Sequence, residues 1–385
     1  MKIAIIGFGG RISDVYRNFA IRAGKRATLV GWSDPQLEPS GLLKIPHAGR
    51  GFRDHREMLR DLQPDAVMVG SPNHLHLEHI RDSLAAGCKV FSEKPVVISV
   101  ADSWAAAELL QKYGQERFLV GLVLRSSPLF REALKQVASG RLGRPVSMEA
   151  NEHLCPAHGA YIARDWRRLR EYSGSHILEK CCHDIDLLQA MLGARLQRVS
   201  SFGGRAVFVP EHANRATNPE YTTWKTGWEG ADEPFTAISD IVDHQVFSAE
   251  MENSSRLTFH CNNHHPWGQR RWVWVGTSGA WESDFNTGTW RVQECFGKPE
   301  IHHRVDSTGG GHYGADESMA DDLVATWFED KPFPVPTKAA IEAGLAAMGI
   351  DEAQRSGQVF DLSPWWAKLD ALLPEVSARV SSSTS

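Results

Sequence analysis

The 385-residue chain predicts an α/β domain on a parallel sheet, followed by an α+β domain whose large open sheet is mainly antiparallel. Three observations carry this reading. Short apolar runs alternate with amphipathic stretches over residues 2–122, the rhythm changes after residue 122, and strand patterns separated by turn residues fill 243–296. The expected division is therefore 1–122 and 123–385. Hydrophobic residues at 42% and charged residues at 23% fit a folded chain able to bury a sizeable core.

In the first domain KIAIIG, ATLVGWS, DAVMVGS, CKVFS and RFLVGLV read as strands, apolar throughout as strands covered on both faces are. Between them SDVYRNFAIRAG, EMLRDL, HLEHIRDSLAAG and SVADSWAAAELLQKYG read as helices or helix-bearing stretches. Gly87 is a C-cap signal, and Ser99 with Asp102 has a capping-box pattern. The second domain opens with a helix (PLFREALKQVASG), a strand (RPVSMEANEH), an irregular loop over 155–173 and a second helix (ILEKCCHDIDLLQAMLG). A meander of antiparallel strands follows, including VFSAEME, SRLTFHC, RRWVWVG, AWESDF and WRVQEC. In RRWVWVG, Trp272 and Trp274 point to one face and Val273 and Val275 to the other, so both faces are expected to be apolar and covered. Helices cover one; a second copy of the chain is the expected cover of the other, giving a homodimer or homotetramer. The terminal SSSTS reads as a frayed tail.

The 42 Lys+Arg against 47 Asp+Glu leave a net charge of -5 with no dense basic run, which argues against a nucleic-acid partner. No apolar run approaches the roughly 18 residues a membrane span needs, and Met1-Lys2 runs directly into a strand with no export-signal pattern. A cytoplasmic protein without a membrane partner is expected. The six cysteines, at 88, 155, 181, 182, 261 and 295, have neither a disulfide framework nor zinc spacing, and Cys181 and Cys182 read as small buried hydrophobes. The histidine pairs at 264–265 and 302–303 read as polar loop residues, and no metal site is expected.

The first strand ends in Gly7-Phe8-Gly9-Gly10-Arg11, where glycines allow a tight turn and a close approach of backbone N–H groups to a pyrophosphate at a helix N-terminus. Ile12 stands where a third glycine is expected, so helix-to-strand packing must differ; Gly10-Arg11 offers flexibility and a positive charge. Asp34, just past the second strand, is the acid for a ribose diol. An acid there repels a 2'-phosphate and no arginine follows it, so NAD is favoured over NADP. Two further strand ends reach the same crevice, one carrying Ser71-Pro72-Asn73-His74-Leu75-His76 and the other Glu93-Lys94-Pro95.

SPNHLH followed by FSEKP, after an N-terminal Rossmann pattern, resembles the glucose-fructose oxidoreductase/inositol dehydrogenase (Gfo/Idh/MocA) family, and the resemblance extends to the later GTSGAWE turn. It implies that Glu93 contacts the nicotinamide ribose, that Lys94 reaches both cofactor and reacting hydroxyl, and that Lys94-Pro95 is a cis peptide. It also implies that Ser71, Asn73 and His76 line the nicotinamide side. On the second-domain helix, Glu179, His183 and Asp186 fall within an arc of about 60°, a pattern suited to proton transfer. The resemblance gives D-x-x-x-H-D-x-D here; Glu179 replaces the acid, and its extra methylene moves the carboxylate. An alternative is a surface ion-pair ladder through Lys180 and Asp184.

The implied chemistry is NAD-dependent oxidation of a secondary alcohol on a sugar, sugar derivative or polyol. His183 takes the hydroxyl proton through or beside Lys94, whose pKa burial and the cofactor's charge should lower. Trp166-Arg167 match a W-R pair that touches the cofactor; His158, Tyr161, Arg164, Arg125 and Asp186 are substrate candidates, and GGGHYGADE places His312 near substrate. The Arg-rich loop raises an acidic sugar as a minority reading. Nine of the 13 tryptophans, at 166, 224, 228, 267, 272, 274, 281, 290 and 327, fall in the body of the second domain; some should cover its sheet and others face a sugar. Two other functions remain open: a redox-neutral NAD-dependent glycosidase working through transient ring oxidation, and an NAD-binding regulator without turnover.

Overall fold

The computed structural model describes residues 1–36, 38–45, 47–222, 233–303 and 312–374. In the first part, β1 (Lys2–Ile6), α1 (Gly10–Ala23), β2 (Thr28–Ser33), α2 (Gly41–Lys44), β3 (Arg50–Phe52) and α3 (His55–Leu62) are followed by β4 (Ala66–Val69), α4 (His76–Ala85), β5 (Lys89–Ser92), α5 (Val100–Tyr113) and β6 (Phe118–Val120). The six strands pair in parallel in the order β3-β2-β1-β4-β5-β6. The chain thus winds outward in both directions from β1. The crevice between the carboxyl ends of β1 and β4 is the place where such sheets take a ligand. Ser99 caps α5 by accepting from the Asp102 amide at 3.1 Å, and Gly87, with φ +91, follows α4.

Ile12, on the first turn of α1, packs where a third glycine was expected, and Gly70 supplies the missing space. A Cβ on Gly70 would lie 2.4 Å from the Ile12 Cβ. The close approach of helix to sheet is kept, with the small residue moved to the end of β4.

After β6 come α6 (Pro128–Ala138), β7 (Pro145–His153), α7 (Pro156–Ile162), α8 (Arg170–Ser173), α9 (His176–Leu192), β8 (Leu196–Gly204), β9 (His244–Met251), β10 (Arg256–Asn262), β11 (Arg271–Gly276), β12 (Gly279–Asp284), β13 (Thr289–Glu294) and β14 (Glu300–His303). The described chain closes with α10 (Ala315–Glu329), α11 (Thr337–Ser356), β15 (Phe360–Asp361) and α12 (Ser363–Leu372). The nine strands from β7 to β15 form one sheet in the order β14-β13-β12-β11-β7-β10-β9-β8-β15, with β7 and β10 as its parallel pair. The expected meander is therefore interrupted: β7 is inserted between β10 and β11. The expected irregular loop is also corrected, because 155–173 folds as α7, a 3-10 turn at Asp165–Arg168 and α8. His302 and His303 lie on β14, a strand and not a loop.

Trp272, Trp274 and Trp281 are fully buried between this sheet and its covering helices. The Trp274 indole N–H donates to the Met191 carbonyl on α9 at 3.0 Å. The opposite face is not the apolar surface expected from Val273 and Val275. Val273 is half-buried and Val275 exposed, and Glu149, Thr258, His260 and Ser248 share that face with Val246 and Phe202. Most tryptophans belong to the core and not to a sugar-facing wall: Trp327 and Trp366 are also buried, whereas Trp267 is exposed. Trp224 and Trp228 lie outside the described residues, as do Gly309 to Gly311 and the terminal SSSTS. No described helix is long and apolar enough to cross a membrane.

The last helices return to the parallel-sheet part. Phe19 on α1 meets Trp327 on α10 edge to face at 5.2 Å, Arg22 pairs with Asp321 at 2.6 Å, and α11 packs against both α5 and α9. One continuous core runs through both sheets.

Gly70→Ala should destabilise the protein by about 1–3 kcal/mol, the usual effect of overpacking a tight contact. Ile12→Gly is itself costly because Ile12 is buried in α1, but the double variant should lose less than the two single variants summed, since the opposing Cβ is gone, as urea denaturation of all three would show. An unchanged midpoint for Gly70→Ala would refute the contact.

Candidate active site

At the β1–α1 turn, Gly7 has φ +73, and a Cβ there would lie 2.4 Å from the backbone of Ser71. Gly9 is the N-cap of α1 and has no side chain to occupy the first-turn amides; a Cβ on it would meet nothing within 4 Å. Open space over free helix N–H groups fits a pyrophosphate. Asp34 stands beside this turn. Its Oδ2 accepts from the Phe8 amide and its Oδ1 from the Gln36 amide, both at 2.9 Å. Burial raises its pKa, against the opposing effect of those two donors.

Several expected cofactor contacts are already spent within the protein. The Phe8 side chain is fully buried and stacks on Trp32 at 5.5 Å, so only its backbone belongs to the turn. Arg11 is bound to two carboxylates, Glu93 at 2.9 Å and Asp316 at 2.6 Å. His76 is buried with its ring nitrogens 2.7 Å from the Pro95 carbonyl and 2.9 Å from that of Ser71, which makes it a brace beneath the crevice and not part of its wall. The Ser71 hydroxyl meets His79 Nδ1 at 2.8 Å. Lys94-Pro95 is cis, as the resemblance implied.

Glu179, on the first turn of α9, gathers the site. Its carboxylate accepts from Asn73 Nδ2 at 2.8 Å and Arg167 Nε at 3.0 Å, and Lys94 Nζ lies 3.6 Å away. Lys94 also donates to the Glu179 carbonyl. Arg167 lies over the rings of Trp166 and Tyr161, with its guanidinium carbon 4.1 and 4.4 Å from their centroids. Burial opposes ionisation of Glu179, but Lys94, Arg167 and Asn73 outweigh it and the net pKa is lowered. For Lys94 burial by itself, without the cofactor's charge, does not give a lowered pKa. Burial acts to lower its pKa, but Glu179, with help from Glu93, raises the net value, so the amine is a firm cation.

His183 sits one turn further along α9. Burial, followed by the charges of Lys94 and Arg270 and by nearby His312, pushes its pKa well below the usual value, so the ring is neutral. Its Nδ1 is buried without a hydrogen-bond partner among the described residues. The His312 ring lies 6.1 Å from the His183 ring, and His312 Nδ1 bonds to Asp316 at 2.9 Å. Through Asp316, Arg11 and Glu93, His312 is linked back to the strand that carries Lys94. Asp316 escaped the sequence reading, although it lies within the same GADE segment.

Arg125 and Asp186 are not free substrate ligands: they form a two-bonded ion pair at 2.6 and 2.7 Å, with Asp186 fully buried. Arg164 is buried and donates to the Ala160 carbonyl, which removes it from the substrate surface. Half-buried His158 lies near Tyr161, ring centres 6.3 Å apart, and burial and Lys180 hold its pKa well below the usual range. The surface ladder proposed for Lys180 and Asp184 is instead an interior cluster. Lys180 pairs with Glu152 at 2.9 Å, Arg270 pairs with Asp184 at 2.9 Å, and Arg270 also bonds to Glu152. Glu152 lies on β7 and Arg270 immediately before β11, regions whose local pattern announces only strands.

Residues 1–122 match a family model described as the oxidoreductase family, NAD-binding Rossmann fold, and residues 130–282 match the GFO/IDH/MocA C-terminal domain. A Bacillus subtilis (strain 168) protein named as an oxidoreductase, YteT, is 30% identical over 344 residues, covering 77% of this chain and 80% of that protein. The scyllo-inositol 2-dehydrogenase (NAD(+)) of the same organism is 28% identical over 204 residues, 53% of this chain and 57% of the relative. A levoglucosan dehydrogenase structure in complex with NADH and levoglucosan superposes with a TM-score of 0.76 over 94% of this chain and 99% of that one; at 16% identity it shows the shared fold.

Asp316 holds His312 and Arg11 together, and those partners depress its pKa despite burial. A depressed carboxyl stabilises the fold above its unfolded pKa of about 4 and loses that contribution as pH falls. Asp316→Asn should therefore lose about 1–3 kcal/mol at pH 7, and the gap to the parent should narrow in urea titrations repeated below pH 4. A gap independent of pH would contradict this.

Proposed function

This chain belongs to the Gfo/Idh/MocA oxidoreductase family, and we propose that it is an NAD-dependent oxidoreductase that acts on a secondary hydroxyl of a sugar, sugar derivative or polyol. The observation that carries the proposal is the convergence of Lys94 and neutral His183 on the Glu179 turn of α9, next to an open glycine turn fitted for a pyrophosphate. Residues 1–122 are proposed as the NAD domain and 123–385 as the substrate and oligomerisation domain. The Gly7–Gly10 turn holds the pyrophosphate and Asp34 the ribose diol, while Asn73, Glu93, Trp166 and Arg167 frame the nicotinamide end. NAD supplies the hydride acceptor. Because NAD is the soluble co-substrate, the proposal places the protein in the cytoplasm.

The protein's own part is proton management and positioning. Lys94, held cationic, donates to the reacting oxygen and stabilises the negative charge that grows as its proton leaves. His183, held neutral, receives that proton. Glu179 is a positioning residue: by accepting from Asn73 and Arg167, it fixes the helix turn to which Lys94 is tied. His158, Tyr161 and His312 are proposed to face the substrate.

Purified protein is to be incubated with a panel of polyols, sugars and aryl glycosides, with and without NAD, while NADH and free aglycone are recorded. NADH accumulation is the expected result. Aglycone release without NADH would identify the redox-neutral glycosidase, and neither signal would leave a regulator. On an oxidised substrate, Lys94→Ala and His183→Ala should each lower single-turnover NADH formation by about 100- to 10,000-fold; full rates in both would end the assignment.

We also propose that the open face of the nine-stranded sheet, with exposed Phe202 and Val275 among polar residues, pairs with a second copy. Sedimentation at micromolar concentration should give a dimer or tetramer, and Phe202→Glu should shift it towards monomer. A monomeric parent would exclude this face as a stable interface.

A further inference from the structure

Hydride transfer from one hydroxyl needs one proton acceptor and one cation at the reacting oxygen, and Lys94 with His183 meets that need. The structure holds a second ammonium group beside them. Lys180 follows Glu179 directly on α9 and precedes His183 by three residues, the spacing that brings side chains together on one helix face. Its recorded partner is Glu152 Oε1 at 2.9 Å, one acceptor for a group with three donors. Within the cluster, burial is graded. The side chains of Asp184, Glu152 and Arg270 are 0%, 4% and 6% exposed, while that of Lys180 is 14% exposed, so Lys180 is the member that opens towards the site.

Three imidazoles sense its charge. Burial is the first cause of the lowered pKa of His158, His183 and His312, but Lys180 contributes to all three shifts. They come from α7, α9 and the segment before α10.

The charged groups around this space pair off, although burial, with Glu152 beside it, pushes the Asp184 pKa well above the usual carboxylate range. Lys180 and Arg270 stand against Glu152 and Asp184, and Arg125 against Asp186. Lys94, Arg167 and Arg11 stand against Glu179, Glu93 and Asp316. Each of these six cations thus faces a carboxylate, so none of the six stands free for an anionic substrate. Lys94 is tied to the Glu179 carbonyl and Lys180 is the next residue on α9, and both add to burial in lowering the pKa of His158 and His183.

We propose, on the basis of the oxidoreductase reading above, that Lys180 is a specificity-determining residue that donates to the hydroxyl next to the one oxidised, so that the site selects an uncharged ring carrying a vicinal diol. Glu152 orients the ammonium, and the Arg270–Asp184 pair holds Glu152 in place.

The test is steady-state kinetics of the full chain with NAD on scyllo-inositol, levoglucosan and D-glucose, each beside an analogue lacking the neighbouring hydroxyl, with D-glucuronate as the acidic probe. Lys180→Met should lower kcat/KM by about 10- to 100-fold, mainly through KM, as expected for loss of one charge-assisted hydrogen bond. The parent should reject the deoxy analogue, and the variant should accept diol and deoxy analogue almost equally. Lys180→Arg should restore part of the discrimination. Lys180→Met/Glu152→Gln, which removes both charges of the pair, guards against a folding defect and should show the same loss of discrimination. Unchanged discrimination in Lys180→Met, or a preference of the parent for D-glucuronate over D-glucose, overturns the inference while leaving the oxidoreductase reading intact. A parent that oxidises none of the probes overturns both.

Discussion

The carboxylate of Glu179 is the joint on which this molecule depends. It takes Asn73 and Lys94 from the carboxyl ends of two strands in the parallel sheet and Arg167 from the short helical segment of the second part. Each partner arrives on a different element, and all of them are largely buried. Withdrawing one member of such a cluster leaves charge without compensation, commonly at about 3–5 kcal/mol, so the two parts are held in one register. The lowered pKa of Glu179 and the raised pKa of Lys94 are two faces of this one interaction.

The same joint separates charge from basicity. A lysine that stays protonated is a poor base but a strong donor, whereas a histidine kept neutral by burial and neighbouring cations is a ready acceptor. Burial and the cations around it, Lys94 and Arg270 among them, thus keep His183 neutral. His312 belongs to this arrangement at one remove, since its link through Asp316 and Arg11 reaches Glu93, the neighbour of Lys94. The return of α10 onto α1 is consequently a condition of the site's geometry.

What was legible in the chain follows from the range of the interactions involved. The parallel sheet was readable because apolar strands, punctuated helices and the glycine turn are local patterns, and FSEKP could be placed because it closes one of those strands. The insertion of β7 between β10 and β11 was not readable, since strand order is decided by pairing between distant segments. The 155–173 region read as irregular because its helical pieces span only four to seven residues, too short to establish a period. Helix α11 packs against α5, α9 and β8, so apolar and small residues occupy most of its circumference. On α9 the arc of Glu179, His183 and Asp186 was correctly spaced, but spacing does not show that Asp186 is consumed by Arg125 from 61 residues away. Nor does it show that Lys180 is turned inward by Glu152.

Ile12 and Gly70 show how a fingerprint can be absent while its physical content is present. The third glycine of a dinucleotide turn exists to let helix and sheet approach, and that requirement concerns the gap and not the position that leaves it. Here Ile12 fills the space that Gly70 vacates across the contact. The glycine pattern on α1 is incomplete, yet the helix keeps its N-terminus aimed at the crevice with Gly9 open above it. Glu179 likewise meets a requirement of place: its carboxylate lies between Lys94, Asn73 and Arg167. Next to it on α9, Lys180 is held in the interior by the same kind of long-range pairing, through Glu152, which Arg270 joins to Asp184.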